Sequence, residues 1–362
     1  MRDLILMNKI KRIIHSIALL LLVVFILQGC GNKAESVTAS VDKDDSKEEI
    51  QIGIAFDSFL IERWERDRDI FVSRARDLGA EVNVQNANGN VQKQKDQIKY
   101  LIDKKMDVIV IVAVDSSELK KEVEEAQDAG IKVVAYDRLV MDSPVDLYIS
   151  FDNEMVGTLM GEALVDSELP NKKVLMLSGP NEDNNVSMVE SGFRRVMEEN
   201  DIEIVDCFHA YGWKAEEAAS YISEHITELD DIDAIMCGND NIATTIIRTL
   251  SEARLAGKIK IVGQDADIEA CQRVVEGTQV MTVYKPVEKL AQAAAEYAIE
   301  LAENKEVSNV TDTINDGTND VPYVYLTPIA VTKDNIDETV IESGFHPRDE
   351  VYMNVLDPSE AE

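Results

Sequence analysis

Residues 108–138 read VIVIVAVDSSELKKEVEEAQDAGIKVVAYDR. The β-branched and apolar run Val108–Val114 predicts a buried strand, and the spacing of apolar residues over Ser117–Ala129 predicts an amphipathic helix. Gly130 stands where that helix should end, and Lys132–Tyr136 predicts a second strand. A strand, a helix and a second strand in this order form a βαβ unit, whose two strands lie parallel in one sheet.

The same alternation extends in both directions from this stretch. It predicts strands at Ile50–Ala55, Glu81–Gln85 and Leu147–Ser150, with helices at Glu62–Leu78 and Val91–Lys104. It restarts with strands at Lys173–Leu177, Ile202–Cys207, Ala234–Cys237, Lys260–Gly263 and Val280–Tyr284. Because roughly 300 residues exceed what one core organises, we expect an α/β protein with two doubly wound parallel-sheet lobes.

The N-terminal segment predicts the compartment. Lys9, Lys11 and Arg12 precede the apolar run Ile17–Leu27, and Leu-Gln-Gly-Cys at 27–30 closes it. This pattern is typical of a lipoprotein signal peptide over residues 1–29, with Cys30 as the lipidated residue. The alternative is an uncleaved membrane anchor, although the run is shorter than the ~20 residues of a spanning helix. Both interpretations place the rest of the chain outside the cytoplasm.

Composition predicts the remaining segments and the class of partner. Residues 30–48 are almost without apolar side chains and are interpreted as a flexible tether, and residues 353–362 as an acidic tail. The formal net charge is −33, which argues against nucleic acid as a partner. It also repels anionic lipid headgroups, so the lipid on Cys30 is the expected membrane contact.

The sequence predicts no metal site, no cofactor and no disulfide framework. Cys207, Cys237 and Cys271 are an odd number; a bridge between Cys207 and Cys237 is conceivable, but free thiols are favoured. The histidines are scattered along the chain, and no Cys-x-x-Cys occurs. Asp312, Asn315, Asp316, Asn319 and Asp320 resemble a calcium loop in composition only, so a solvated turn is favoured.

Polar and aromatic side chains follow successive predicted strands. In such sheets, ligands bind beyond the carboxyl ends of the strands. Carboxylates, amides and cations can bind sugar hydroxyls, and aromatic rings stack on the apolar faces of the sugar, so Trp64 and Trp213 are candidates for the two faces of a sandwich. Taken singly, Asp137, Asp183 and Asp265 could be helix caps and Arg138 or Lys285 solvated charges, but their joint placement favours a binding site. The strand-end stretches are Phe56-Asp57, Arg63-Trp64, Tyr136-Asp137-Arg138, Asp183-Asn184-Asn185, Tyr211-Gly212-Trp213, Gly238-Asn239-Asp240, Gly263-Gln264-Asp265 and Val283-Tyr284-Lys285.

The sequence gives little support for catalysis. The glycine patterns of phosphate loops, dinucleotide-binding loops and nucleophile elbows do not occur in it. Paired carboxylates would be needed for acid–base chemistry, but they also serve binding. We therefore expect a binding protein and not an enzyme.

Several long stretches carry a family resemblance, among them Glu62–Phe71, Ala135–Arg138, Ile149–Glu154, Gly263–Asp267 and Thr282–Pro286. Over about residues 49–346 the chain resembles the D-xylose-binding members of the type I periplasmic binding protein family. The resemblance implies two lobes, joined by a three-segment hinge, that close on a sugar. It also implies hydrogen-bonding roles for Arg63, Asp137, Arg138, Asn185, Asn239, Asp265 and Lys285, ring-facing roles for Trp64 and Trp213, and a lesser role for Asp183. The loop 178–185 and Tyr211 depart from the family pattern.

The resemblance also predicts how the chain is divided and what it does. The first lobe is expected over 49–152 plus 286–322, and the second over 153–285 plus 323–352. The expected function is a lipid-anchored receptor that binds D-xylose or a related pentose and delivers it to the permease of an ABC transporter. A lipoprotein that senses sugar for a membrane histidine kinase is the alternative. A sugar-responsive repressor is disfavoured, because the N-terminus predicts a signal peptide and not a DNA-binding helix-turn-helix.

Overall fold

A computed structural model describes residues 49–60, 63–310 and 312–355. The predicted signal peptide, Cys30 and the tether 30–48 lie outside the described residues, as does most of the acidic tail 353–362. Among the described helices, none has the length and apolarity needed to cross a membrane.

Strands and helices alternate along the chain. The strands are β1 (Ile50–Phe56), β2 (Ala80–Asn86), β3 (Val108–Ile111), β4 (Lys132–Tyr136), β5 (Leu147–Phe151), β6 (Lys173–Ser178), β7 (Glu203–His209), β8 (Ala234–Cys237), β9 (Lys260–Gln264), β10 (Met281–Tyr284), β11 (Asp312–Asn315), β12 (Asp320–Leu326) and β13 (Ile329–Val331). The helices are α1 (Arg63–Asp77), α2 (Val91–Asp103), α3 (Lys120–Asp128), α4 (Asn153–Val165), α5 (Asn184–Glu199), α6 (Ala215–Glu224), α7 (Asp240–Glu252), α8 (Ile268–Glu276), α9 (Val287–Ala302) and α10 (Arg348–Val351). Short turns of other helix types cover Tyr211–Trp213, Ile226–Asp231 and Asp337–Ile341.

Two open sheets form the two lobes. Within the described residues, the first sheet has the order β11-β12-β5-β4-β3-β1-β2 and the second has the order β13-β10-β9-β8-β6-β7. The central strands pair in parallel and are buried along nearly their whole length, as the apolar runs predict. The two-lobed α/β architecture predicted from the sequence is confirmed.

Each sheet also contains an antiparallel strand, which the prediction of purely parallel sheets did not include. β11 pairs antiparallel with β12, and β13 pairs antiparallel with β10. These strands come after the last crossover helix, α9, so they need no helix to reverse direction. The sheets are therefore mixed.

The chain passes between the lobes three times, after β5, after β10 and after β12. The predicted boundary between residues 322 and 323 falls inside β12, where Tyr323–Leu326 pairs with Tyr148–Phe151 of the first sheet. The third crossing therefore follows Leu326. The physical reason is that Val321, Tyr323 and Val324 remain buried in this strand and hold it in the first sheet.

The segment with a calcium-like composition is the hairpin between β11 and β12. The buried carboxylate of Asp316 accepts hydrogen bonds from the backbone N–H groups of Thr318 at 2.8 Å and Asn319 at 2.7 Å. It also accepts one from the N–H of Ser143 at 2.7 Å, which ties the hairpin to the loop between β4 and β5. The segment is a turn, as favoured from the sequence, although its central aspartate is buried.

Helices α4 and α5 pack backbone to backbone through two glycines. A Cβ atom added to Gly157 would lie 1.8 Å from the carbonyl oxygen of Val189, and one added to Gly192 would lie 1.9 Å from that of Glu154. This contact positions α5. The first turn of α5 carries Asn185, which lines the cavity between the lobes.

We predict that Gly192→Ala lowers the free energy of unfolding by about 1–3 kcal/mol or more, because the added methyl forces two helix backbones apart. Ser187→Ala, at an exposed position of the same helix, is the control and should stay within about 0.5 kcal/mol of wild type. Urea unfolding followed by circular dichroism measures both. Equal stability of the two variants would contradict the described packing of the two helices.

Candidate functional site

A cavity lies between the lobes, at the carboxyl ends of strands from both sheets. All ten residues to which the family resemblance assigns a sugar-binding role line it: Arg63, Trp64, Asp137, Arg138, Asp183, Asn185, Trp213, Asn239, Asp265 and Lys285. It leaves about 40 Å³ for the centres of water-sized molecules. Since one ordered water needs roughly 10–15 Å³ of such space, the cavity holds a few waters or one small ring in their place.

Eight other lining residues are not among these ten. They are Asn153, Ser178, Gly179, Val186, Val189, Met236, Gly238 and Gln264. Gly238 and Gln264 belong to the strand-end stretches read from the sequence, and Ser178, the last residue of β6, would have been found by extending that search. Val186 and Val189 lie on α5 and look like ordinary core residues, because nothing in their spacing separates a core contact from a cavity contact.

Arg63 and Trp64 begin α1 and form one wall. Arg63 Nη2 donates to Asp137 Oδ2 at 2.7 Å and lies 3.5 Å from Asp67 Oδ1. Its guanidinium stacks 4.3 Å from the centre of the Trp64 ring, and the guanidinium of Arg138 lies 5.6 Å from the same ring. Trp64 is only 2% exposed and also belongs to the apolar core, so it supports two cations as well as lining the cavity.

Asp137 follows β4 and occupies the left-handed backbone region, with φ of 62°. Its N–H donates to the carbonyl of Ile149 at 2.8 Å, and its own carbonyl accepts from the hydroxyls of Tyr148 and Ser150 at 2.9 and 2.7 Å. Burial acts to raise the pKa of Asp137, but the surrounding cations, led by Arg63, lower it below its ordinary value. The carboxylate is therefore ionised, and three hydrogen bonds hold the backbone of Asp137 in place.

Asp265 repeats this arrangement in the second lobe. It follows β9, has a φ of 101°, and its N–H donates to the carbonyl of Val283 at 2.9 Å. Its Oδ1 lies 2.7 Å from Lys285 Nζ, which also donates to Gln264 Oε1 at 3.0 Å. Each lobe thus presents one carboxylate in a left-handed turn beside one cation, Arg63 with Asp137 and Lys285 with Asp265.

Arg138 joins the two lobes. Its Nη1 donates to the carbonyl of Ala113 at 2.9 Å and to the carboxylate of Asp57. Its Nε lies 2.8 Å from Asp183 Oδ2 in the second lobe. Asn185 makes a second cross-lobe contact, since its Nδ2 donates to Asp137 Oδ1 at 3.1 Å. The lobes are therefore in direct contact, and the cleft is closed in this structure.

Asp183 and Asn239 each serve two roles. Asp183 accepts from the N–H of Asn185 at the start of α5, and Asn239 accepts from the N–H of Ile242 at the start of α7. Both are therefore helix caps and cavity residues at once. The cap interpretation does not hold for Asp265, because α8 begins at Ile268 with Asp267 in the cap position.

Trp213 lies against a backbone surface that only glycine provides. A Cβ atom on Gly179 would come within 2.4 Å of the Trp213 ring. The indole Nε1 donates to Asp183 Oδ2 at 3.2 Å, which fixes the plane of the ring. Trp213 is half-buried and so keeps part of its surface available to the cavity.

Several buried polar atoms at the cavity have no well-aligned hydrogen-bond partner among the described residues. They are Arg63 Nε, Arg138 Nε and Asp265 Oδ1; the last two lie near opposite charges but at poor angles. A buried polar atom without a hydrogen bond costs about 1–3 kcal/mol. A ligand with several hydroxyl groups can donate to the carboxylate and accept from the cations, so this set of atoms fits a polyol.

The thiols outside the cavity are unpaired. Cys207, Cys237 and Cys271 are free cysteines, and the latter two are buried. The interpretation favoured from the sequence is confirmed.

Comparison with known proteins defines the class. Residues 52–306 match the family model described as "Periplasmic binding protein domain", so the chain belongs to the periplasmic binding protein family, in its two-lobed type I form. The chain is 44% identical to the D-xylose-binding periplasmic protein of Escherichia coli K12, over 84% of this chain and 93% of that protein. It is 40% identical to the protein of the same name from Haemophilus influenzae, over 84% and 92%.

A solved structure agrees with this assignment. The fold superposes with a TM-score of 0.76 on an ABC transporter solute-binding protein from Clostridium phytofermentans with bound β-D-glucose. That protein is 27% identical, and the match covers 83% of this chain and 99% of that one. The relatives are binding proteins, so the chain is a binding protein and not an enzyme, as predicted. The family's periplasmic character agrees with the extracytoplasmic location predicted from the N-terminal segment.

The buried carboxyl group of Asp67, which lies beside Arg63, should make the free energy of unfolding depend on pH. Asp67 is buried, accepts a hydrogen bond from the Tyr136 hydroxyl, and lies beside Arg63. Burial raises the pKa of Asp67 from 3.8 to about 6. A raised pKa in the folded state means that folding takes up a proton, so this contribution is full below about pH 4 and is lost as pH rises through about 6.

We predict that wild type loses on the order of 3 kcal/mol more unfolding free energy between pH 4 and 7 than Asp67→Asn, which has no carboxyl group to titrate there. Urea unfolding of both proteins at half-unit pH steps measures the free energy of unfolding. Subtracting one pH profile from the other removes the contribution of the groups that titrate alike in both proteins. Parallel pH profiles would show that the Asp67 carboxyl is not perturbed by burial.

Proposed function

We propose that the chain is a receptor for one monosaccharide, D-xylose, held between the two lobes. The observation that carries the proposal is the buried set of oriented polar groups contributed by both lobes. Among the described residues, Arg63 Nε has no hydrogen-bond partner, and Arg138 Nε and Asp265 Oδ1 are poorly aligned with theirs. The class of ligand follows from this chemistry. The choice of D-xylose is supported by the names of relatives that share 44% and 40% of their residues with this chain.

The small cavity favours a single sugar ring over an oligosaccharide. It is closed by direct contacts between lobes, among them Arg138 with Asp183 and Asn185 with Asp137. A longer sugar would have to separate these pairs. Trp213, packed against Gly179, is the surface on which we place one apolar face of the ring.

Closure couples binding to shape. The residues we assign to the sugar come from both lobes, so the complete set of contacts exists only when the cleft is closed. A ligand shifts an equilibrium between two states only through contacts that differ between them. We therefore expect D-xylose to favour the closed form.

We predict that Asp265→Asn weakens D-xylose binding roughly tenfold to over a hundredfold, because hydrogen bonds to charged groups contribute about 1.5–3 kcal/mol. Asp230→Asn, an exposed substitution in the same lobe, is the control and should bind as wild type. Calorimetry with D-xylose, L-arabinose, D-ribose and D-glucose ranks the ligands, and small-angle scattering with and without sugar follows closure. If Asp265→Asn bound D-xylose with native affinity, Asp265 would not be part of the site. If another sugar bound more tightly than D-xylose, that sugar would be the ligand instead.

We further propose that the chain is anchored outside the cell membrane through a lipid on Cys30. The support is the N-terminal pattern, in which Cys30 follows a small residue at the end of the apolar run 17–27. The high negative charge leaves little attraction to anionic lipids, so the anchor would supply the membrane contact.

We predict that Cys30→Ser either releases the protein from membranes or leaves the signal peptide uncut, because serine offers no thiol for lipidation. Fractionation and intact mass measurement distinguish these results, and Cys271→Ser serves as the control thiol substitution. Detergent-dependent membrane association of a processed Cys30→Ser protein would exclude Cys30 as the anchor.

Delivery to an ABC transporter is the transport step that we propose. It is supported by the solved relative described as an ABC transporter solute-binding protein, which is 27% identical to this chain. Deletion of the gene should abolish uptake of radiolabelled D-xylose at low concentration, and restoring the gene should recover it. Unchanged uptake together with loss of a sugar-induced response would favour the sensor alternative instead.

A further inference from the structure

Three metal-ligating side chains converge on the second lobe, outside the contacts assigned to the sugar. Cys207 and His209 lie two residues apart on β7, so they project from the same face of the strand. Glu190 on α5 faces them from the adjoining helix. One ligand atom from each residue lies within 4.8 Å of the other two.

The distances suit a tetrahedral ion. His209 Nε2 lies 2.8 Å from Glu190 Oε1, which in turn lies 3.6 Å from Cys207 Sγ, and the thiol sulfur lies 4.0 Å from His209 Nε2. Zinc bonds of about 2.0–2.3 Å at tetrahedral angles separate ligand atoms by roughly 3.3–3.6 Å. Shifts of about half an ångström in side-chain position would therefore bring the three atoms into coordination.

We propose that Glu190, Cys207 and His209 bind one divalent ion of the zinc class, with a solvent molecule in the fourth position. Thiolate and imidazole ligands select such an ion over calcium or magnesium, which require oxygen ligands. The site is reachable from solvent, since the side chains of His209 and Glu190 are 28% and 13% exposed. The second oxygen of Glu190 pairs with Arg194 at 3.2 Å, which orients the carboxylate toward the cluster.

Metal binding at this site exchanges a proton for the ion. A thiol must lose its proton before its sulfur can ligate a metal ion. When the ion binds, the sulfur–hydrogen bond breaks, the proton leaves to solvent, and the sulfur forms a bond to the ion, which loses water ligands. The sequence did not reveal this site, because Glu190 and His209 come from different elements and only the fold brings them together.

The site lies one strand away from the sugar cavity. Ser178, which lines the cavity, pairs in register with His209, and its hydroxyl lies 3.9 Å from Cys207 Sγ. The same helix carries Glu190 and the cavity residue Asn185. The ion would therefore tie β7 to the helix that positions part of the sugar site.

The test uses the full chain with its thiols reduced and titrates it with Zn²⁺ alone in calorimetry, using buffers of different ionisation enthalpy. We expect one ion per chain with proton release. Co²⁺ is the spectroscopic probe, because a thiolate ligand gives a charge-transfer band in the near ultraviolet and a tetrahedral site gives intense visible bands. Sugar binding, measured separately, does not enter this test.

Matched variants assign the signal. Cys207→Ala should abolish the thiolate band and weaken Zn²⁺ binding at least about tenfold, whereas Cys237→Ala should keep both. His209→Gln should weaken binding in the same way, and His225→Gln, which alters a histidine of the same lobe outside the cluster, should not. Circular dichroism verifies that each variant is folded. The proposal is overturned if wild type binds no ion tighter than millimolar, or if the band persists in Cys207→Ala.

Discussion

The pairing of buried charges across the cleft is the constraint on which the closed structure depends. Arg138 is almost fully buried and contacts Asp57 in its own lobe and Asp183 in the other. Removing such charges from water costs several kcal/mol for each ion, so the pairs give little net stability. Their contribution is to geometry, because a buried cation such as Arg138 is stable in the closed cleft only when its carboxylate partners are in place. The ion pairs therefore determine how the two lobes meet.

The sequence predicted the layers well, since they depend on local patterns. β4 and β8 have the predicted bounds, and the ten residues that the family resemblance assigned to the sugar line the cavity. Parallel sheets expose strand ends at one edge, so residues distant along the chain are brought together by topology alone. The bounds of the last crossing were less accurate, because β12 is only partly buried and carries a weaker apolar pattern than the fully buried strands at the centre of the sheet.

The sequence could not reveal contacts that depend on how elements pack. The close approach of Trp213 to Gly179 and the pairing of Arg138 with Asp183 require the three-dimensional arrangement. Asp183 shows that a helix cap can also line the cavity, since one oxygen accepts from the N–H of Asn185 while the other lies beside Arg138. Alternatives that compete at the level of sequence need not exclude each other in the folded protein.

The late return of the chain to the first sheet has a consequence for synthesis. β12 covers the edge of β5, and its Tyr323 hydroxyl reaches the carbonyl of Phe151 across 172 positions of sequence. A growing chain that has not reached β12 therefore exposes β5 as an unpaired apolar edge, which is a template for aggregation. Contacts of such long range also slow folding. We therefore expect the first sheet to be completed only after residues 320–326 have been synthesised.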